Sequence, residues 1–200
     1  VETVREYMLG QNMFDLRLLT TYGWDKSQLE PISRLPGIKE VEGVFYSDLI
    51  AQCQGGDESA VYRFYTIPEK INRLVLLEGR MPQAPDECLA DGFHNGKEVI
   101  GKTVSMTDDN SDTALDQLTQ RKFNIVGLVS TPLYMDTNRG NSAVGSGRIT
   151  NYFFVPEEAF DVAYYTEIHA TIEGDHTPYT QVYNDALSDA ADVIKPLLTP

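Results

Sequence analysis

Apolar and polar side chains alternate along several segments of the chain, which is the pattern of half-buried β-strands. In the first of these segments Phe14, Leu16 and Leu18 share one face, and Gly23 is expected to end the strand. The segments with this pattern are residues 13–21, 38–51, 60–67 and 164–173. The sequence therefore predicts strands near both ends of the chain.

A short helix is predicted between the first two strands, and its start can be placed in two ways. Asp25 with Gln28, or Ser27 with Glu30, has the spacing of a capping box. Pro31 favours the later start, because a proline deep in a helix removes a hydrogen bond and clashes with the preceding turn.

Both ends of the chain also show helical periodicity. Residues 1–11 carry a narrow apolar stripe. Near the other end, Thr177 as N-cap and Pro178 at the first helical position predict a longer helix. The apolar face of that helix consists of Val182, Tyr183, Ala186, Leu187, Ala190, Val193, Ile194 and Leu197.

A change of pattern occurs shortly before the middle of the chain. Residues 74–77 are apolar throughout, which is typical of a strand buried on both faces. Gly79, Pro82 and Pro85 then end regular structure. We expect the chain to pass here from one packed unit into another, and we expect Arg80 to pair with a nearby carboxylate.

The order of the elements predicts an α+β fold with two subdomains. Residues 1–77 and 163–200, from both chain ends, are expected to form one split α+β subdomain. Residues 78–162 are expected to form an inserted, mostly-β subdomain. Its expected strands are residues 87–90, 102–106, 121–130 and 152–155, with a loop containing one helical turn at 107–120. Residues 135–149 are rich in Gly, Ser and Asn, which indicates a mobile loop or a hairpin tip.

Charge narrows the function classes. The 200-residue chain has a net charge of −14 and a pI near 4.5, which argues against binding nucleic acid or anionic lipid. It contains no run of eighteen apolar residues, so none of its segments is predicted to span a bilayer. Cys53 and Cys88 are too few for a disulfide framework, and two unpaired buried thiols are the favoured interpretation.

Residues 96–103, GKEVIGKT, match the P-loop pattern letter for letter. A P-loop lies between a buried strand and a helix, so that backbone amides and the helix dipole hold phosphate. Here the following residues, up to Thr107, alternate like a strand. We therefore expect Gly101 to form a turn before a strand, with no nucleotide bound.

Candidate catalytic and metal-binding residues are sparse. His94, His169 and His176 lack the spacing of a zinc site, and His169 is expected at the surface or on a sheet face. Ser146 lies in a Gly-rich segment that is poorly suited to hold a nucleophile. The acidic residues from Asp108 to Asp112 lack the Gly and Glu that a calcium loop requires. The sequence predicts no catalytic, cofactor-binding or metal-binding residue.

Four segments, taken in order and spacing, resemble the MacB-like periplasmic core domain of FtsX-like ABC-transporter permeases. They are LLEGRMPQAPDECLAD (76–91), VIGKTVSM (99–106), FNIVGLV (123–129) and YFFVP (152–156). The early MFDLRLLTTYGW…LPGIKEV also resembles the start of such a domain. The segment STPLYMDTNRGNSAVGSGRI is similar to an elaboration found in Gram-positive permeases.

This resemblance implies a domain on the extracytoplasmic face of the cell membrane, inserted between the first two transmembrane helices of a permease. Residues 1–11 and 178–198 would then be stalks leading to the membrane. The implied partners are a second permease copy, a separate cytoplasmic ATP-binding subunit, and a peptide, lipid or protein substrate. The resemblance carries over no catalytic residue and no cofactor.

The expected function is non-catalytic: coupling of cytoplasmic ATP hydrolysis to export, or to handling of an extracytoplasmic partner, by mechanical transmission. One alternative is a sensing or partner-binding module for peptide-antibiotic resistance or cell-wall hydrolase activation. A secreted hydrolase using Ser146 or another serine is the enzyme alternative. The candidate partner-contact residues are Tyr134, Met135, Arg139, Arg148 and Tyr152.

Overall fold

The computed structural model describes residues 10–56, 58–133, 140–174 and 177–197. Its strands are β1 (Leu16–Asp25), β2 (Ile38–Val44), β3 (Tyr46–Cys53), β4 (Ala60–Thr66), β5 (Val75–Gly79), β6 (Glu87–Asp91), β7 (Thr103–Met106), β8 (Lys122–Ser130), β9 (Asn151–Val155) and β10 (Tyr164–Ile172). Its α-helices are α1 (Leu29–Ser33), α2 (Asp112–Leu115) and α3 (Gln181–Ile194), and 3-10 turns cover Lys26–Gln28, Lys97–Val99, Glu157–Ala159 and Lys195–Leu197. The predicted α+β class is confirmed. Most of the helix predicted over residues 1–11 lies outside the described residues.

The chain divides into two compact units. The first comprises Val1–Phe45, Pro68–Arg73 and Ala163–Pro200, and the second comprises Tyr46–Ile67 and Leu74–Val162. The sequence places all of residues 1–77 in the first unit. Residues 46–67 and 74–77 lie in the second unit instead, because β3, β4 and β5 pair with its strands.

The first unit is built on a three-stranded antiparallel sheet in the order β1-β10-β2. One face of the sheet packs against α1 and α3. The buried residues of this core are Leu18, Trp24, Ile32, Ile38, Ile168, Ile172, Ala190 and Ile194. Asp15 links the helix to the central strand, because its carboxylate accepts hydrogen bonds from the Tyr183 hydroxyl at 2.8 Å and from the Ile172 N–H at 2.9 Å.

The first strand does not end at Gly23, in contrast to the prediction from sequence. β1 continues to Asp25 through a register shift between Leu19 and Trp24. Gly23 has a φ of +76°, and a Cβ there would lie 2.8 Å from the Tyr165 carbonyl oxygen. The irregularity therefore needs glycine, and the strand resumes with Trp24 buried in the core.

The preferred helix start is also wrong. Asp25 and Gln28 form the capping box, and they initiate a 3-10 turn that leads into α1. Pro31 is then the third residue of α1, in the first turn, where the missing N–H costs no intrahelical hydrogen bond.

At the other helix, the N-cap is Thr180 and not Thr177. The Thr180 hydroxyl accepts a hydrogen bond from the Tyr183 N–H at 3.2 Å. Tyr179 has a left-handed φ of 68°, so helical geometry cannot run through it from Pro178. Within the predicted apolar face, Val182 and Leu197 remain exposed.

The second unit contains a closed β-barrel. Its strands follow the order β5-β8-β6-β9-β4-β3-β7, and β7 also pairs with β8, which joins six of the seven strands into a ring. β5 pairs with β8 beyond the stretch used by β7. Aromatic rings pack against one another in this unit. The Phe64 ring stacks on Phe153 with centroids 5.3 Å apart, and it lies tilted against Phe123 with centroids 5.9 Å apart. Closure gives each ring strand a neighbour on both sides.

Two sequence predictions about strands are wrong. A local pattern shows neither which sheet a strand joins nor what covers its two faces. The single strand expected over residues 38–51 is two strands, β2 and β3, in different sheets. The apolar run at residues 74–77 is not buried on both faces. Leu76 and Leu77 are 40% and 53% exposed, and β5 pairs with β8 alone among the strands the structure describes.

Predictions about specific side chains fare better. Arg80 donates hydrogen bonds to the Glu87 carboxylate, and these, together with the Gln83 N–H, lower the pKa of Glu87 to about 2. Cys53 and Cys88 are both unpaired thiols. Cys88 is buried and Cys53 partly so, and burial raises the pKa of each thiol.

We expect Gly79→Ala to destabilise the protein far more than Gly101→Ala. Both glycines have positive φ, +79° and +87°, but a Cβ at Gly79 would lie 2.3 Å from the Val126 carbonyl oxygen, whereas Gly101 has nothing within 4 Å. Urea unfolding should show a loss of about 1 kcal/mol for Gly101→Ala from backbone strain alone. The loss for Gly79→Ala should be about 3 kcal/mol, since backbone must also move. Equal losses would contradict this account of β5 and β8.

Candidate functional site

A buried polar cluster lies on the face of the first unit's sheet that is turned away from the helices. We call it the His169 network, and it consists of Phe14, Arg17, Asn72, Glu167 and His169. Glu167 and His169 are each 1% exposed, and they alternate along β10 with residues of the helix-facing core. His169 is expected from sequence at the surface or on a sheet face. It lies on a sheet face but is buried.

The hydrogen-bond partners of His169 indicate one arrangement of its protons. Asn72 Oδ1 accepts from the Phe14 N–H at 3.0 Å, so Asn72 Nδ2 is the donor to His169 Nδ1 at 2.9 Å. His169 Nδ1 therefore carries no proton. The proton is on Nε2, which donates to Glu167 Oε1 at 2.8 Å. This arrangement of donors and acceptors corresponds to a neutral imidazole.

The Glu167 carboxylate is charged and fully engaged. Its second oxygen accepts from Arg17 Nε at 2.7 Å, while His169 donates to the first. Burial raises the pKa of Glu167, but the hydrogen bonds and the Coulombic attraction from His169 and Arg17 together outweigh burial and leave the pKa below its ordinary value. The Phe14 ring stacks on the imidazole, with centroids 4.9 Å apart.

The network is closed by residues Pro68–Arg73, which we call the strap. The Glu42 carboxylate accepts hydrogen bonds from the N–H groups of Glu69 at 2.6 Å and Ile71 at 2.7 Å, and also from Lys70. Ile71 and Asn72 are fully buried. The strap therefore covers the polar face of the sheet and excludes water from His169.

The end of the strap is paired with the residues that precede β1. The Asn72 N–H donates to the Asn12 carbonyl, and the Arg73 N–H donates to the Gln11 carbonyl, both at 2.9 Å. Asn12 Nδ2 in turn donates to the Lys70 carbonyl at 2.8 Å. The His169 network thus ties together three parts of the chain that are distant in sequence.

The geometry of the network does not suit acid–base catalysis. Both ring nitrogens of His169 bond to protein groups, and the ring is almost excluded from solvent, so a substrate has neither access nor a free lone pair. Ser146 lies exposed in a turn of the second unit. The hydrolase alternative therefore gains no support from these residues.

Phosphate and metal binding also find no support in the part of the chain that the structure describes. Residues 96–103 form a 3-10 turn and a turn at Gly101, and β7 follows, as predicted, instead of a helix. The described residues contain no cluster of three His, Cys, Asp or Glu side chains that could hold a metal ion. Within the same ranges, no helix is long and apolar enough to cross a membrane.

The structure describes two of the five candidate partner-contact residues, Arg148 and Tyr152. Tyr134, Met135 and Arg139 lie outside the described residues. Arg148 is exposed and bridges to Asn141 in a short hairpin tip. Tyr152 is fully buried in β9, because β9 pairs on both sides and both of its faces are covered, so it cannot contact a partner in this conformation.

Sequence reasoning missed the polar network. The spacing of Glu167 and His169 places both on one face of a strand, which could have indicated a polar pair, but their partner Asn72 lies 97 residues from His169.

Sequence reasoning also missed exposed apolar side chains in the second unit. They are Leu76, Leu77, Met81 and Phe93. Leu77 lies beside Gly92, next to Phe93.

The chain matches no protein-family model and no curated protein. Among solved structures, it is similar to the periplasmic region of MacB from Actinobacillus actinomycetemcomitans. The TM-score is 0.53 and the identity 16%, over 98% of this chain and 89% of that one. It is also similar to the extracellular domain of the noncanonic ABC-type transporter YknZ from Gram-positive bacteria, with a TM-score of 0.51 and 11% identity, over 93% of this chain and 90% of that one. At these identities the likeness shows the fold, as the resemblance predicted.

Glu167→Gln should destabilise the protein at neutral pH and lose its effect in acid. The folded-state pKa of Glu167 lies below its ordinary value of 4.5, so its contribution is present above 4.5 and disappears as pH falls through the folded-state pKa. We expect a loss of about 2 kcal/mol at pH 7 in urea unfolding. The control is Asp192→Asn at the exposed Asp192–Lys195 pair, which should change stability by less than about 0.5 kcal/mol. A Glu167→Gln loss that is constant down to strongly acidic pH would contradict the assignment of a charged carboxylate.

Proposed function

We propose that this chain is a non-catalytic extracytoplasmic domain of an ABC-transporter permease. It would lie at the extracytoplasmic face of the cell membrane and couple ATP hydrolysis in a separate cytoplasmic subunit to export or to handling of an extracytoplasmic partner. One observation carries the proposal: the fold follows that of the periplasmic region of MacB over 98% of the chain. One fold can host many functions, and here the internal architecture also suits this role.

The internal organisation suits mechanical transmission. Each unit has its own core, a helix-covered sheet in the first and a closed barrel in the second. The chain passes between the units four times, after Phe45, Ile67, Arg73 and Val162. Two separately packed bodies joined by several connections can move as rigid units, which a relay of conformational change requires. The moving partners would be a second permease copy and the ATP-binding subunit.

The second candidate function is a sensing or partner-binding module. It is favoured by the exposed side chains of Leu77 and Phe93, since Leu77 lies against Gly92, the residue before Phe93. Leu76 and Met81 are also exposed, and large apolar side chains at a surface often mark a contact with another molecule. A peptide, lipid or protein substrate could use this surface, with Arg148 and the segment around it as a further contact. Neither candidate function requires a catalytic residue in this domain.

The decisive experiment uses the full-length gene product with the ATP-binding protein encoded beside it. In a permease, transmembrane helices flank this domain on both sides, and the purified complex hydrolyses ATP. Replacing the domain with a flexible Gly/Ser linker should leave basal ATP hydrolysis in place and abolish transport. A gene that encodes a signal peptide followed directly by this domain, without membrane helices, would contradict the proposal.

Leu77→Ser combined with Phe93→Ser should reduce substrate-stimulated ATP hydrolysis by the complex without lowering thermal stability. Both side chains are more than half exposed, so their replacement removes a contact surface and leaves the core intact. The control is Tyr179→Ser, which removes a side chain that is 96% exposed in the first unit. Equal loss of stimulation in the control, or none in the double variant, would count against this surface.

A further inference from the structure

We propose that the His169 network is a proton-sensitive latch, in which protonation of His169 at Nδ1 releases the end of the strap from β10 and from the residues before β1. This inference concerns the first unit alone and does not depend on a role in transport. It rests on the directions of three successive hydrogen bonds.

The bonds leave one consistent arrangement of protons. Running through the network, the Phe14 N–H donates to Asn72 Oδ1, Asn72 Nδ2 donates to His169 Nδ1, and His169 Nε2 donates to Glu167. Asn72 is fully buried and cannot replace a lost partner with water. Each of these three donors is satisfied while His169 is neutral.

An added proton on His169 Nδ1 cannot be accommodated in this arrangement. Nδ1–H would face the Asn72 amide nitrogen, donor against donor. If the Asn72 amide flipped to present its oxygen to His169, its nitrogen would face the Phe14 N–H, which is again donor against donor. One buried donor is left unsatisfied in either case, and the contact between Asn72 and its two partners must open.

Charged groups around His169 hold a protonated ring in its place beside Glu167. Glu167 continues to accept from Nε2, and Arg17 from β1 bonds to the same carboxylate. On β2, Glu42 binds the strap through the N–H groups of residues 69–71, and Glu40 accepts from Asn12. Lys70, Glu69 and Arg73 are exposed on the strap itself.

These anchors limit what opens. The bonds of Glu42 hold the middle of the strap whatever the state of His169. The released part is Asn72 and Arg73, together with the backbone of residues 11–14 that bonds to them. The proposed event is thus a local opening and not unfolding of the unit.

Hydrogen exchange of the 200-residue chain tests the latch. Amide protection is measured from about pH 8 to about pH 5, the range in which imidazoles ordinarily titrate, and corrected for the intrinsic effect of pH on exchange. We expect protection at Phe14, Asn72 and Arg73 to fall roughly tenfold across this range, the effect of one unsatisfied buried donor. The amides of Ile168 and Ala170 in the centre of the sheet should keep their protection. Constant protection at the latch, or equal loss in the sheet centre, overturns the proposal.

Asn72→Asp is the decisive variant. The carboxylate introduced by this substitution accepts from both the Phe14 N–H and a protonated His169 Nδ1, so both donors stay satisfied and acid should no longer open the latch. His169→Gln, which removes the imidazole, should make protection independent of pH at whatever level it begins. His94→Gln changes an exposed histidine of the other unit and should respond like the wild type. A wild-type acid response in either Asn72→Asp or His169→Gln overturns the latch.

Discussion

The first unit depends on the hydrogen bonds that the buried Glu167 carboxylate accepts. A charge at the centre of a sheet is strongly destabilising unless its lone pairs find donors, and here donors come from Arg17 and His169. His169 in turn requires Asn72, and Asn72 requires the Phe14 backbone. One charge therefore dictates the placement of the strap and of the residues before β1.

The second unit is organised by a different constraint, which is closure of its sheet. Six strands form a ring in which each has a neighbour on both sides, so the ring needs no helix to cover a free edge. Among the described strands, β5 stands outside the ring and pairs on one side only. Its exposed Leu76 and Leu77 are tolerated there because the bulge between Leu76 and Glu78 interrupts the regular ladder that another strand would need for pairing.

The sequence pattern predicted the features that depend on residues close together in the chain. Alternation located most strands, and the nearby carboxylate expected to pair with Arg80 is that of Glu87, seven residues away. It failed where pairing partners are distant: β2 and β3 read as one strand because nothing in the sequence between them marks the change of sheet at Phe45. The His169 network escaped detection for the same reason, since Asn72 acquires its role through contacts that no short window contains.

The split construction of the first unit has a consequence for how the protein is made. Arg17 and Glu167, which pair across neighbouring strands, are 150 residues apart, and β10 separates β1 from β2 in the sheet. During synthesis β1 and β2 have no neighbour to pair with until β10 emerges, whereas the described barrel strands are already present once Val155 has been made. A barrel that folds first would shorten the loop whose closure completes the sheet and so reduce its entropic cost. The inserted unit would then help the first unit to fold, because it shortens the loop between β2 and β10.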